Sequence, residues 1–178
     1  MSTASPSRKT PLRAAVGDTV VYAGHGVGLV VAHEQKRVGD MERDCVVVDL
    51  ADGLRITLPL QEAAERLRAV AGKREVEDVR TTLSSPASER DEPWTKRIKE
   101  SKAKLAAGRA TDLAEIVRDG NRLERTAGGA RLSDGERRIY LQARTLLVRE
   151  LCAARRVNED EAETWIEAHL ALPDESGD

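Results

Sequence analysis

From Val16 to Pro59, short runs of Val, Ile, Leu and Thr recur at close, regular spacing, which is the pattern of a small antiparallel barrel. The runs are Val16–Tyr22, Val27–Val38, Cys45–Leu50 and Leu54–Leu58. Between them lie Gly24-His25-Gly26, Gly39-Asp40 and Asp52-Gly53, which supply residues that tolerate positive φ where a hairpin reverses. In the last run Leu54, Ile56 and Leu58 alternate with Arg55 and Thr57, so one side meets a core and the other meets solvent or a partner. Pro59, with no N–H to donate, ends the pairing.

After a short amphipathic piece over Gln61–Leu67 the period becomes helical and stays so. Val76, Val79 and Leu83 mark one helix, and Ser84–Glu92 reads as a loop. Pro93 suits the first turn of the next helix, whose narrow apolar stripe is Trp94, Ile98, Ser101 and Leu105. Thr111 is placed to cap a helix carrying Leu113, Ile116 and Val117. Ser133 with Glu136 is a capping box that opens a long helix through Ile139, Tyr140, Ala143, Leu146, Leu147 and Leu151. Asn158 with Glu161 repeats the signal before a last helix that buries Trp165, Ile166 and Leu170. No internal repeat stands out.

The chain has 178 residues, enough for two small domains, and its net charge of −2 conceals an uneven distribution. Residues 1–72 balance nine cations with nine carboxylates, residues 73–157 carry 20 cations against 14 carboxylates, and residues 158–178 carry eight carboxylates alone. Between Trp94 and Arg109 the cations Lys96, Arg97, Lys99, Lys102, Lys104 and Arg109 face only Glu100, and a polyanion is the natural partner of such a segment. Aromatics are 2% of the residues and Phe is absent, so aliphatic side chains must fill the cores and each Trp is conspicuous. Met1–Ala15 lacks the apolar run of a leader or a membrane span and reads as a disordered tail. Cys45 and Cys152 stand far apart without CxxC spacing, which points to a reduced, cytoplasmic chain without a disulfide.

Candidate enzyme chemistry is thin. Gly24-His25-Gly26-Val27-Gly28 has the spacing GxGxG and runs into a β-branched strand, so it fits a tight hairpin rather than a dinucleotide loop, which needs a helix at its last glycine. Ala71-Gly72-Lys73-Arg74 lacks the upstream glycine and the following Ser or Thr of a phosphate loop. His25, His33 and His169 fall on a turn, a strand and a late helix, with no spacing that converges on a metal or on a nucleophile. No catalytic residue, cofactor, metal or small-molecule substrate is expected. Trp94 admits two readings. Its periodicity with Ile98 and Leu105 favours a core anchor, whereas the cations beside it fit an exposed wedge pushed at a base step while Lys and Arg hold phosphates.

The stretch Val16-Gly17-Asp18-Thr19-Val20-Val21-Tyr22-Ala23-Gly24-His25-Gly26-Val27-Gly28 resembles the opening of the CarD/CdnL family, which shares its N-terminal module with the transcription-repair coupling factor. Leu54–Pro59, Trp94–Lys99, Ala114–Asp119 and Leu132–Arg138 are similar to further family landmarks in family order, so the likeness spans Val16 to Leu172. The resemblance implies an SH3-like or Tudor-like barrel that docks on the β subunit of RNA polymerase, joined to a helical domain that contacts DNA at the upstream edge of the transcription bubble. It further implies polymerase contacts at Lys36 and at the strand before the proline, where Thr57 stands with Arg55 on the same face. It implies DNA contacts at Trp94, wedged in the minor groove, at Lys99, and at Arg137, with Lys96 and Arg97 beside them. The chain departs from the family at Ala23, where proline is common, and at Gly120-Asn121, which replace an apolar and aromatic pair. The connection through Ala127-Gly128-Gly129-Ala130 is also longer. A glycine inside a helix costs about 1 kcal/mol, so that helix is expected to end early or bend.

The expectation is an α+β chain: a disordered tail over 1–15, a barrel over 16–70, an all-α domain over 73–172 and an acidic tail over 173–178. Its expected function is transcription regulation through the polymerase β subunit and sequence-tolerant promoter contact, away from any membrane. The rival is a protein-interaction adaptor that never touches DNA.

Overall fold

Turn glycines and alternating apolar residues set the first half of the molecule. The computed structural model describes residues 14–87, 93–125 and 132–170. Strands β1 (Thr19–Tyr22), β2 (Gly26–Val38), β3 (Met41–Leu50) and β4 (Arg55–Pro59) are followed by helix α1 (Leu60–Arg66) and strand β5 (Leu67–Ala69). Gly39 and Gly53 take φ of 65° and 88° at the β2–β3 and β3–β4 corners, where an L side chain would be strained. The five strands form one antiparallel sheet in the order β4-β3-β2-β1-β5. The edge strands β4 and β5 do not pair with each other; α1 packs against both and drops Ala63 into the core. That core is aliphatic: Val20, Val30, Val46, Val48, Leu50, Leu58 and Leu67. The register shifts at Val31, where β2 carries one residue more than β3 opposes.

The helical half comprises α2 (Lys73–Ser84), α3 (Trp94–Ala107), α4 (Ala110–Arg125), α5 (Asp134–Arg155) and α6 (Glu159–His169). Both expected capping boxes form. Ser133 Oγ accepts from Glu136 N–H at 3.3 Å while Ser133 N–H donates back to the Glu136 carboxylate at 2.9 Å, and Asn158 and Glu161 do the same at 2.8 and 3.0 Å. Leu83, Leu113, Val117, Leu147, Leu151 and Ile166 make a second core that also takes in Ala71. Arg144 ties α6 to α5 by donating to Glu163 at 2.9 Å and to Glu167 at 2.6 Å, and these bonds more than offset its burial and raise the guanidinium's pKa. The architecture is α+β, with the sheet first and the helices after it, and among the described residues no helix is long and apolar enough to cross a membrane.

Several sequence-based expectations need correction. The first strand starts at Thr19, not Val16, whose side chain is exposed. Gln61–Leu67 is helix α1 running straight into the unforeseen strand β5, which pairs with β1. Thr111 lies inside the first turn of α4 and caps nothing, because the helix already begins at Ala110. The tail stops short of Ala14, which is buried in the sheet core and whose carbonyl is 2.6 Å from His33 Nε2. Trp165 is only partly buried, with the Arg155 guanidinium 4.9 Å over its ring. The rest of the tail, the 88–92 part of the loop, the Ala127–Ala130 connection and the acidic terminus lie outside the described residues.

Gly120 does not end α4, which continues through Asn121 to Arg125. The missing side chain is used for packing: a Cβ at Gly120 would stand 2.4 Å from Tyr140 Cδ2 on α5. The two helices approach through this gap and bury the Tyr140 ring. Gly120→Ala is therefore expected to destabilise the chain by about 1–3 kcal/mol through overpacking, against the ~1 kcal/mol that helix propensity alone would add. Urea denaturation followed by circular dichroism decides the sign, and a more stable variant would reject this account of the crossing.

Candidate functional site

Cross-strand pairing gathers the three expected polymerase contacts onto one side of the sheet. Leu29, Asp49 and Arg55 form one rung, and Ala32, Val47 and Thr57 the next. Beyond them Lys36 opposes Arg43. Lys36 Nζ reaches Thr57 Oγ1 at 3.4 Å across the intervening β3 and lies 3.4 Å from the Glu34 carboxylate. Arg55 grips Asp49 with two hydrogen bonds, at 2.5 and 2.7 Å, which hold the Asp49 carboxyl below its usual range. Under these polar groups Val47 and Cys45 are buried, while Leu29 at the end of the rung is 45% exposed. The face thus has an apolar floor, an exposed Leu and oriented cations, the make-up of a protein-docking surface rather than a plain solvated one.

Helix α3 presents a different surface. Ile98 and Leu105 pack against the helical core, but Trp94, at the first position after Pro93, is 57% exposed. The core-anchor reading of Trp94 is therefore wrong: the first turn of the helix projects past the core that its later turns touch. Lys96, Lys99 and Lys102 are exposed along the same helix. The other cations of the segment are held in ion pairs, Arg97 and Lys104 half-buried and Arg109 exposed. Arg97 meets Glu136 at 2.9 Å, Lys104 meets Glu115 at 2.6 Å and Arg109 meets Asp112 at 2.7 Å. Arg137, at the start of α5, remains exposed and pairs with Glu124 of α4 at 3.1 Å. Trp94, Lys96 and Lys99 are thus all exposed on the first two turns of α3, with the lysines around the helix from the Trp94 stripe. Arg97 braces that helix, and Arg137 lies one helix away.

Glu136 links the two halves of this arrangement. Its carboxylate closes the capping box of α5 and receives Arg97 from α3, and Gly135 beside it leaves room for Ile98, with 3.4 Å between a would-be Cβ and Ile98 Cδ1. Burial pushes the Glu136 carboxyl up, but hydrogen bonds from Ser133 and Arg97 outweigh it and hold the group below its ordinary value. Sequence reasoning found the cap and missed the pairing with Arg97. It also missed Arg68 of β5, which donates to the buried Glu150 of α5 at 2.5 and 2.7 Å. The signal was present: Glu150 follows Leu146 and Leu147 at helical spacing, on the apolar side of α5. Among the described residues no cluster of His, Cys, Asp and Glu is arranged to hold a metal.

A β-sheet module with paired cations on its outer face, followed by helices that expose a tryptophan and lysines, makes a two-part protein. Family models divide it in the same way. Residues 15–71 match the CarD-like/TRCF RID domain, an RNA polymerase-interacting domain of transcription factors, and residues 78–167 match the CarD C-terminal domain. The chain belongs to the CarD family and is of the transcription-regulator type. Among similar proteins, the candidate transcription factor YdeB of Bacillus subtilis (strain 168) is 23% identical over 152 residues, covering 84% of this chain and 97% of YdeB.

Because the folded Glu136 carboxyl titrates below its unfolded value of 4.5, its contribution to stability is complete above that value and is lost as pH falls through the folded pKa. The junction of α3 with α5 is expected to loosen on that acid side. Glu136→Gln should flatten the fall of the melting temperature between about pH 5 and pH 3; an acid limb as steep as that of the unaltered chain would show that other carboxylates set it.

Proposed function

We propose that this chain docks on the β subunit of RNA polymerase through the outer face of β2, β3 and β4. It then contacts promoter DNA at the upstream edge of the bubble through the start of α3, modulating open-complex formation or stability. The observation that carries the reading is the exposed Trp94 ring at the start of α3, where the helix has run past the core, together with Lys96 and Lys99 exposed on its first two turns. A large flat apolar group costs free energy in water and finds a use between unstacked bases, where neighbouring cations hold the phosphates. Trp94 is the wedge into the minor groove, Lys96 and Lys99 hold the backbone, and Arg137 exchanges Glu124 for a phosphate. Arg97, already committed to Glu136, acts by fixing the pose of α3.

The contacts read no particular sequence, since the surface offers lysines and one tryptophan rather than paired Asn or Gln side chains. With Arg97 and Lys104 half-buried in ion pairs and Arg109 engaged by Asp112, much of the segment's positive charge is already neutralised, so the free chain binds DNA weakly. Docking on polymerase supplies the missing affinity by raising the local concentration of α3 at the promoter.

Two substitutions test the two surfaces separately. Lys36→Glu combined with Arg55→Glu should leave the melting temperature near that of the unaltered chain and weaken association with the β subunit by about 2–5 kcal/mol. Co-purification undiminished by the pair would place the docking face elsewhere. Trp94→Ala should change stability by only about 0.5 kcal/mol, as at ordinary surface positions, because the ring packs on no core. The same variant should bind polymerase normally while its open complexes decay faster in a filter-retention assay. Unaltered open-complex lifetimes would remove the wedge and leave an adaptor that works through proteins alone.

A further inference from the structure

We infer that Arg68 and Glu150 are positioning residues that clamp helix α3 to the sheet, so that the docking face and Trp94 move as one body. Arg68 lies on β5, whose residues pair with β1. Its guanidinium donates to both oxygens of Glu150, at 2.5 and 2.7 Å, and at 2.6 Å to the carbonyl of Gly108, which ends α3. Glu150 also accepts the Ala71 N–H at 3.1 Å, at the entry to α2. One guanidinium therefore joins an edge strand of the sheet to the end of α3 and the middle of α5.

Backbone contact reinforces the joint. A Cβ on Gly108, which has φ of 61°, would stand 2.8 Å from Gly24 N and 3.0 Å from Ala23 Cα, so the β1–β2 hairpin lies directly on the end of α3. Leu146 of α5 occupies the space beside Gly26, its Cδ2 2.8 Å from a would-be Cβ. The other half of α3 is held by Arg97 on Glu136 and by Ile98 over Gly135. With 14 residues the helix is a lever about 21 Å long. A tilt of about 10° at Gly108 would displace Trp94 by about 4 Å, roughly the spacing of stacked bases, so small errors at the joint would misplace the ring. The clamp is made of charges although Arg68 Nε is buried without a partner. Apolar side chains would hold the domains together without that cost, but only a forked donor between fixed acceptors also sets their angle.

The functional meaning of the clamp rests on the reading of Trp94 above, whereas the geometry can be tested alone. Glu150→Gln removes the charge at one end of the joint, and Gly108→Ala presses the hairpin off α3 while leaving both charges of the pair in place. Nitroxide labels carried on unnatural amino acids at Gln61 and Lys102 of the full chain report the distance between sheet and α3 by pulsed dipolar spectroscopy. The unaltered chain should give one narrow distribution. In each variant its width should at least double at a temperature where circular dichroism shows intact helix. Affinity for polymerase should stay within twofold, and open-complex lifetime should fall toward that of Trp94→Ala. Arg68→Lys, which keeps the charge but not the fork, replaces either variant that fails to fold. Distributions as narrow as that of the unaltered chain would overturn the clamp. A broadened distribution with unaltered lifetime would uphold it and count instead against Trp94 as the DNA contact.

Discussion

Pairing Glu150 with Arg68 takes the carboxylate almost wholly and the guanidinium partly out of water, and the surrounding fold is arranged to meet that cost. Both carboxylate oxygens receive the guanidinium, one of them also receives a backbone N–H, and the guanidinium's spare reach goes to a helix-ending carbonyl. Each of these partners is backbone or side chain of a different element, so the pair is satisfied only when β5, α2, α3 and α5 are all in place. The strand that carries Arg68 has three residues and would be marginal by itself. Its pairing with β1 and its ionic bond to α5 support one another, which is why so short a segment folds as strand at all.

A second constraint follows from the scarcity of aromatic residues. Without Phe the helices have few large side chains to hold them apart, and they close on one another over glycine instead. Gly120 against Tyr140 is the tightest case, and Gly108 against the β1–β2 hairpin is another. The few rings that exist are thereby put to single uses. Tyr140 fills the α4–α5 crossing, Trp165 of α6 lies under Arg155 of α5, and Trp94 is left outside. Interiors at native density admit little slack, so removing atoms at one crossing is matched by a ring at the next.

Local signals carried far in this sequence, and they failed where a partner distant in the chain decides the outcome. Hairpin corners at Gly39 and Gly53 and caps at Ser133 and Asn158 were legible because each depends on residues only a few positions apart. Strand β5 was not, because Leu67–Ala69 looks like the tail of a helix until β1 lies beside it. Gly120 was misread for the same reason: propensity describes an isolated helix, whereas Tyr140 belongs to another one. The periodicity of Trp94 with Ile98 and Leu105 is real, yet a stripe does not reveal where along the helix the core stops. The charge of the basic segment was visible, but its division into inward pairs and outward lysines needed Glu115 and Glu136 in place.

The register shift at Val31 bears on how such a surface evolves. Before it, Leu29 lies on the outer face and Val30 in the core; after it, Ala32, Glu34 and Lys36 lie outward and His33 opposes the buried Val46. Had the same sequence paired regularly, with Val31 taking a rung of its own, the phase of the far half would invert, with Gln35 carried to the outer face and Lys36 rotated to the opposite one. The identity of the cation facing outward is thus set by a bulge six positions upstream of Glu42's partner Arg37 and five upstream of Lys36 itself. A switch between bulged and regular pairing there would exchange the whole set of presented side chains without changing any of them, whereas loss of the bulge residue itself would leave them all in place.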